Sequence, residues 1–151
     1  YLPDALFVCF LVFALWRSTP VYERFILFSE GIGAAVLARL AVEGFRLFVH
    51  RLRPFAADPS VTALLTEGSY SFPSGHAAFF FALSTTVYLH NKRWGVWFYI
   101  ATFFICIARV MAGVHYPTDI LGGAVLGIAV GWVVHYFLKK YITPFPRATA
   151  R

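Results

Sequence analysis

Charge is scarce in this chain. Asp, Glu, Lys and Arg make up 13% of its 151 residues, against about 25% in an average soluble domain, while 60% are hydrophobic and 19% aromatic. So few charges cannot surround a core with a polar shell, which excludes an ordinary soluble domain and points to the bilayer as the solvent. Acidic residues are the scarcer sign, 7 against 13 Lys and Arg, for a formal net charge of +6. Cysteine is limited to Cys9 and Cys106, both inside apolar stretches where a thiol packs as a small hydrophobe. No disulfide or zinc framework is therefore expected. Internal repeats and low-complexity tracts are also lacking, and one helical domain over residues 1–151 accounts for the whole chain. The chain begins at Tyr1 rather than Met, and Asp4 precedes the first apolar run, so there is no positively charged leader of the signal-peptide kind. A trimmed N-terminus is the expectation.

What is present is five apolar segments. The first, about Ala5 to Trp16, is closed by Arg17-Ser18-Thr19-Pro20 and is short for a hydrocarbon core of about 30 Å. The second, Val21 to His50, is long enough to cross but carries Glu30, Arg39, Glu43 and Arg46, charges that must face protein or water. The third is about His76 to His90, the fourth Gly95 to Ala112 and the fifth Ile120 to Tyr141. Gly123, Gly127 and Gly131 give the fifth a small-residue stripe suited to close helix contact. The one long connection, Arg51 to Gly75, holds Pro54, Pro59, Gly68 and Pro73; within it Val61, Leu64 and Leu65 have the spacing of a short amphipathic turn. The fold class predicted is all-α, an integral membrane bundle with about five transmembrane helices here and six in the untrimmed parent.

Alternating connections put Arg17, Arg24, Lys92, Arg93, Lys139, Lys140, Arg147 and Arg151 on one side. Positive residues favour the cytoplasm. The long loop and the Val114 to Thr118 turn then lie outside.

Three clusters at the outer helix ends carry chemistry. Arg46 and Arg53-Pro54 are seven apart, two helical turns, and a guanidinium pair on one face makes an anion clamp. The plainer reading is that Arg51 and Arg53 flank a membrane span and snorkel. In Pro73-Ser74-Gly75-His76, Ser74 can cap the next helix, Gly75 lets a ligand approach the backbone, and His76 is an acid beside a bound anion; a helix cap followed by an interfacial histidine reads the same string. In the third cluster, Arg109 is followed by His115 and Asp119 across a Tyr-Pro turn. A carboxylate on one imidazole nitrogen leaves the other free as nucleophile or base, unless the two merely tie helices together. On one side of the membrane, the three clusters describe a phosphate pocket with a nucleophile and an acid. No second carboxylate cluster suggests a metal. His50 is placed to line the pocket, while His90 and His135 lie on the other side, where no chemical role is expected.

In order and spacing these clusters resemble the motifs of the type 2 phosphatidic acid phosphatase superfamily, Lys-x6-Arg-Pro, Pro-Ser-Gly-His and Ser-Arg-x5-His-x3-Asp, over roughly Val21 to Tyr141. Arg46 stands where the family has Lys, and Ala108 where it has Ser; the first keeps the charge and the second removes a hydroxyl contact. The resemblance implies that His115 attacks phosphorus, Asp119 supports it and His76 protonates the leaving oxygen. Arg46, Arg53, Ser74, Gly75 and Arg109 would bind the phosphoryl oxygens, with no metal or other cofactor. It also implies a multi-pass protein of the bacterial cytoplasmic membrane, whose site the Lys and Arg count turns outward. The expected partners are the bilayer and a lipid phosphate, foremost undecaprenyl diphosphate, with phosphatidate or phosphatidylglycerophosphate second. No nucleic acid is expected, and no oligomeric state is indicated. A non-catalytic lipid-phosphate binder or transporter is the reading from another class.

Overall fold

Proline and asparagine set the helix boundaries. The computed structural model describes residues 2–16, 20–65 and 67–141, so Arg17, Arg147 and Arg151 of the charge count lie outside the described residues. Helix α1 (Leu2–Trp16) is followed by Pro20, whose carbonyl accepts from Glu23 and Arg24 N–H as α2 (Val21–Arg46) begins. A single turn, α3 (Pro54–Ala57), starts with Pro54, and Arg53 before it is extended at φ −72° and ψ 155°, as a residue preceding proline prefers. Ser74 caps α4 (Gly75–His90) through the Ala77 N–H. Asn91 ends α4, and its side chain accepts from Trp94 N–H to cap α5 (Lys92–Met111). Helix α6 spans Pro117–Tyr141, and Gly113 before it takes φ +70°, left-handed backbone that favours glycine. No strand occurs among the described residues.

All five apolar segments are thus helices of a multi-pass bundle, but not of equal length. Among the described residues, only α2, α5 and α6 are long and apolar enough to cross a membrane. Helix α4, at 16 residues, rises about 24 Å. It is the central helix, and its buried residues, Ala77, Ala78, Phe80, Ala82, Leu83, Ser84, Thr85, Thr86 and Val87, run all the way round it. Two expectations fail here. Helix α2 ends at Arg46, not His50, so Arg46 and Arg53 do not project from one helix; Pro54 denies Arg53 helical backbone. Residues 61–65 form no amphipathic helical turn, because Leu64 N–H is bonded to Ala112 O at 3.1 Å and ties the loop to the end of α5.

Close packing holds the helices at a fixed register. A Cβ at Gly123 would meet Ser74 O at 2.5 Å, one at Gly127 would meet Ala78 O at 2.3 Å, and one at Gly131 would meet Thr85 Cβ at 2.8 Å. The glycine stripe of α6 therefore lies directly on the α4 backbone, where contact area rather than hydrophobic transfer supplies the attraction. Hydrogen bonds between Ser84 and Thr102 (2.9 Å) and between Thr85 and Tyr99 (2.7 Å) join α4 to α5. Phe10, Leu27, Phe80, Leu83, Val87 and Phe98 close the core between α1, α2, α4 and α5. Since successive long helices alternate in direction, the ends of α2 and α5 meet the starts of α4 and α6.

Candidate active site

The long loop returns to the bundle because the arginines there need acceptors. Arg53, 2% exposed, donates from Nε to Ser69 O (2.7 Å) and from Nη1 to Val114 O (2.9 Å). Arg46 donates to Ser69 Oγ (3.1 Å), Glu43 (3.1 Å) and Pro73 O (3.3 Å). Ser69 Oγ also accepts from Arg53 at 3.2 Å, so one hydroxyl bridges the pair that the helix does not. The Glu67 carboxylate sits between Arg53 (2.6 Å) and Arg109, with one oxygen towards each guanidinium. Arg46 and Arg109 each keep a buried Nε with no partner. Burial pulls the Arg53 guanidinium below its usual pKa, and Asp119 opposes that shift.

His115 is 2% exposed on the turn between α5 and α6, and Asp119 is fully buried in the first turn of α6. His115 Nδ1 lies 3.5 Å from Asp119 Oδ2, and its Nε2 lies 3.4 Å from Arg53 Nη1. Asp119 is itself fixed: Oδ2 accepts from Tyr116 N–H at 2.8 Å and Oδ1 from Arg51 at 2.9 Å. Arg51 also donates to Thr118 Oγ1 at 2.6 Å and stacks 4.0 Å over the Tyr116 ring, so it does more than snorkel. A carboxylate on the Nδ1 side leaves the lone pair for Nε2, which faces the arginines. Burial holds His115 below the usual imidazole pKa, with the nearby Asp119 carboxylate acting the other way.

The glycine stripe brings the third group into place. Ser74 N–H donates to Asp119 O at 3.0 Å, joining the start of α4 to the start of α6. His76, half-buried one residue into α4, opens onto a cavity of about 460 Å³ walled by Phe7, Phe79 and Phe80. Arg39 lies at the polar end, packed so closely over Gly75 that a Cβ there would meet its Nε at 3.0 Å.

Arg46, Arg53, Ser74, Gly75, His76, Arg109, His115 and Asp119 thus gather at one end of the bundle, while Ala108 is exposed on α5. His50 does not join them. It is exposed and stacks edge-on against Tyr70 at 4.7 Å. Sequence reasoning missed Arg39, Glu67 and Ser69 and gave Arg51 no role at the site. The available signals were Arg39 one heptad before Arg46 and one acidic residue, Glu67, shortly before Pro73-Ser74-Gly75-His76. The structure also pairs Glu30 with both His90 and His135 at the opposite end.

The sequence profile of the PAP2 superfamily matches residues 25–142, which include every residue of the cluster. The chain belongs to the PAP2 superfamily. One relative, a protein of Bacillus licheniformis named bacitracin transport permease protein BcrC, is 39% identical over 89 residues, 58% of this chain and 44% of that protein. The lipid A 4′-phosphatase of Porphyromonas gingivalis is 27% identical over 144 residues, 89% of this chain and 59% of its own. The undecaprenyl-diphosphatase BcrC of Bacillus subtilis is 32% identical over 93 residues, 62% and 48% of the two chains. The chain spans about half the length of these curated relatives. A solved structure, that of Aquifex aeolicus LpxE, superposes with a TM-score of 0.67 at 26% identity, covering 88% of this chain and 85% of that one. The PAP2 fold is thereby shared.

Proposed function

We propose that this PAP2 protein is a membrane lipid phosphatase that releases phosphate from a lipid diphosphate through a phosphohistidine, and that undecaprenyl diphosphate is its substrate. One observation carries the phosphatase reading: His115 Nε2 faces Arg53 while Nδ1 faces a fixed Asp119, so a nucleophilic nitrogen points at an anion clamp. In this reading the terminal phosphoryl group displaces Glu67 and takes its place between Arg53 and Arg109. Nε2 attacks phosphorus, the bond to the bridging oxygen breaks, and His76 gives that oxygen its proton. Asp119 stabilises the charged ring, and Arg46, Arg53, Arg109, Ser74 and the Gly75 N–H hold the phosphoryl oxygens as charge builds in the transition state. Water, deprotonated by the now neutral His76, attacks phosphorus from the side the leaving group vacated; the N–P bond breaks and phosphate departs. No step calls on a metal.

The Phe7, Phe79 and Phe80 cavity beside His76 receives the apolar chain of the leaving group, which favours a lipid. Arg39 lines the same cavity, beside Asp4, and is paired with Glu43; in this reading the departing monophosphate ester of a lipid diphosphate takes Arg39 from Glu43, which favours a diphosphate over a glycerolipid monophosphate. The basic residues at the far end support a site on the outer face of a bacterial cytoplasmic membrane. The test is phosphate release in detergent with a chelator present, comparing undecaprenyl diphosphate, phosphatidate and phosphatidylglycerophosphate, with His115→Ala as the blank. Preference for the diphosphate, reduced more by Arg39→Ala than turnover of the monophosphates is, supports the assignment. Preference for a glycerolipid overturns the substrate, and release no greater than the blank from all three favours a binding or transport role.

A further inference from the structure

We infer that Glu30, His90 and His135 form a transition-metal site, suited to Zn²⁺, that clamps α2, α4 and α6 together at the end of the bundle opposite the phosphate pocket. Three helices far apart in sequence each contribute one ligand. His90 Nε2 lies 2.9 Å from Glu30 Oε2, and His135 Nδ1 lies 2.8 Å from Glu30 Oε1. The ligand atoms all fall within 4.8 Å of one another. Zinc takes imidazole nitrogen at about 2.0–2.1 Å and carboxylate oxygen at about 2.0–2.2 Å, which sets tetrahedral edges of roughly 3.3–3.5 Å. The two short contacts run to different oxygens of Glu30 and would open by a few tenths of an ångström, while ligand atoms up to 4.8 Å apart would draw in, so adjustment of the two imidazoles admits the ion, with each ring keeping its proton on the nitrogen that faces away. The two imidazoles, 5.6 Å between centroids and 86° apart in plane, approach the carboxylate from different directions, as a tetrahedral set requires.

Charge supports the same reading. Glu30 is 2% exposed in a helix that crosses the membrane, where a carboxylate is costly unless its charge is met. The two imidazoles satisfy its lone pairs, and a divalent ion held among the three groups would meet its charge as well. His90 and His135 are partly exposed, which leaves room for water or hydroxide at a fourth position. Glutamate with two histidines is a donor set for zinc and its first-row neighbours rather than for calcium or magnesium, which take oxygen.

The site is remote from His115 and is tested without turnover, so its failure would leave the phosphatase reading untouched. The full chain, purified without metal-affinity chromatography, is stripped with a chelator and titrated with Zn²⁺, following metal content and thermal unfolding. His135→Gln keeps an N–H donor for Glu30 but is a poor metal ligand, and His90→Gln does the same from α4. The expected result is about one tightly held zinc per chain and a rise of roughly 5 °C or more at a hundredfold excess over Kd, both lost in either variant. Co²⁺ should give the intense visible bands of a four-coordinate ion in the wild type only. Equal zinc content and equal thermal response in the wild type and both variants would overturn the site, as would a wild type that binds none.

Discussion

At the scale of single residues, the proposed chemistry depends on the protonation of His115 and on the Glu67 carboxylate held between Arg53 and Arg109. In the proposed mechanism the nucleophile must be neutral, so activity should fall when His115 gains a proton. Because burial lowers its pKa, that loss should come at more acidic pH than a free imidazole would give. The acid limb of kcat/KM against pH should therefore lie below the usual imidazole value. Asp119→Asn removes the group acting upward, so the limb should move further to acid while the rate drops about 10²–10⁴-fold; an unmoved limb would assign it to another group. Glu67 makes a second prediction. It neutralises Arg53 and Arg109 where the phosphoryl group is to bind, so Glu67→Gln should tighten inhibition by inorganic phosphate or vanadate roughly 10- to 100-fold. Unchanged or weaker inhibition would show that Glu67 supports the pocket rather than competing for it.

At the scale of helices, the site depends on how closely α6 can approach α4. A Cβ at Gly127 would sit 2.3 Å from Ala78 O and 3.0 Å from Ala82 N, both backbone atoms that cannot turn aside. Gly127→Ala should cost about 1–3 kcal/mol and lower activity by separating Asp119 from Ser74, whereas Gly33→Ala, with nothing within 4 Å, should be neutral or stabilise by up to about 1 kcal/mol. Thermal unfolding of the two variants in one detergent checks both. This interface was legible in advance, since glycine every fourth residue marks a face that needs close approach. So were the five apolar segments and the three motif clusters, which local spacing encodes. The end of α2 was not: a repeat of seven places two residues on one face only if the helix continues, and Pro54 prevents that. Nor were the roles of Glu67 and Ser69, because a loop residue's partner is chosen by tertiary charge balance. The same limit hid His90 and His135, each unremarkable until Glu30 is known to lie between them.

At the scale of the whole molecule, charge is sorted by end. Five guanidiniums, from Arg39, Arg46, Arg51, Arg53 and Arg109, share the phosphate end with five carboxylates, from Asp4, Glu43, Asp58, Glu67 and Asp119, so the end as a whole carries no excess and the positive charge is concentrated where the buried Arg46, Arg53 and Arg109 converge. Lys92, Arg93, Lys139 and Lys140 lie at the other end, which the proposed outward-facing site puts in the cytoplasm. With Cys9 and Cys106 replaced by Ser, Arg93→Cys in intact cells should resist a membrane-impermeant thiol reagent added outside, while Leu64→Cys, on the exposed loop, should react. The reverse pattern would invert the topology. The zinc clamp bears on the chelator experiment as well, because stripping a structural metal could lower activity by unfolding the bundle; thermal unfolding measured alongside separates the two. The most direct test of the central claim is to trap the phosphoenzyme. The aryloxide of an activated aryl phosphate leaves without help from an acid, so His76→Ala should still be phosphorylated by that compound yet lack the base for hydrolysis. Quenched with a ³²P-labelled aryl phosphate, this variant should carry label on His115 that is lost in acid and kept in alkali. Absence of label from His115, under conditions where the wild type turns over the same compound, would contradict the phosphohistidine mechanism.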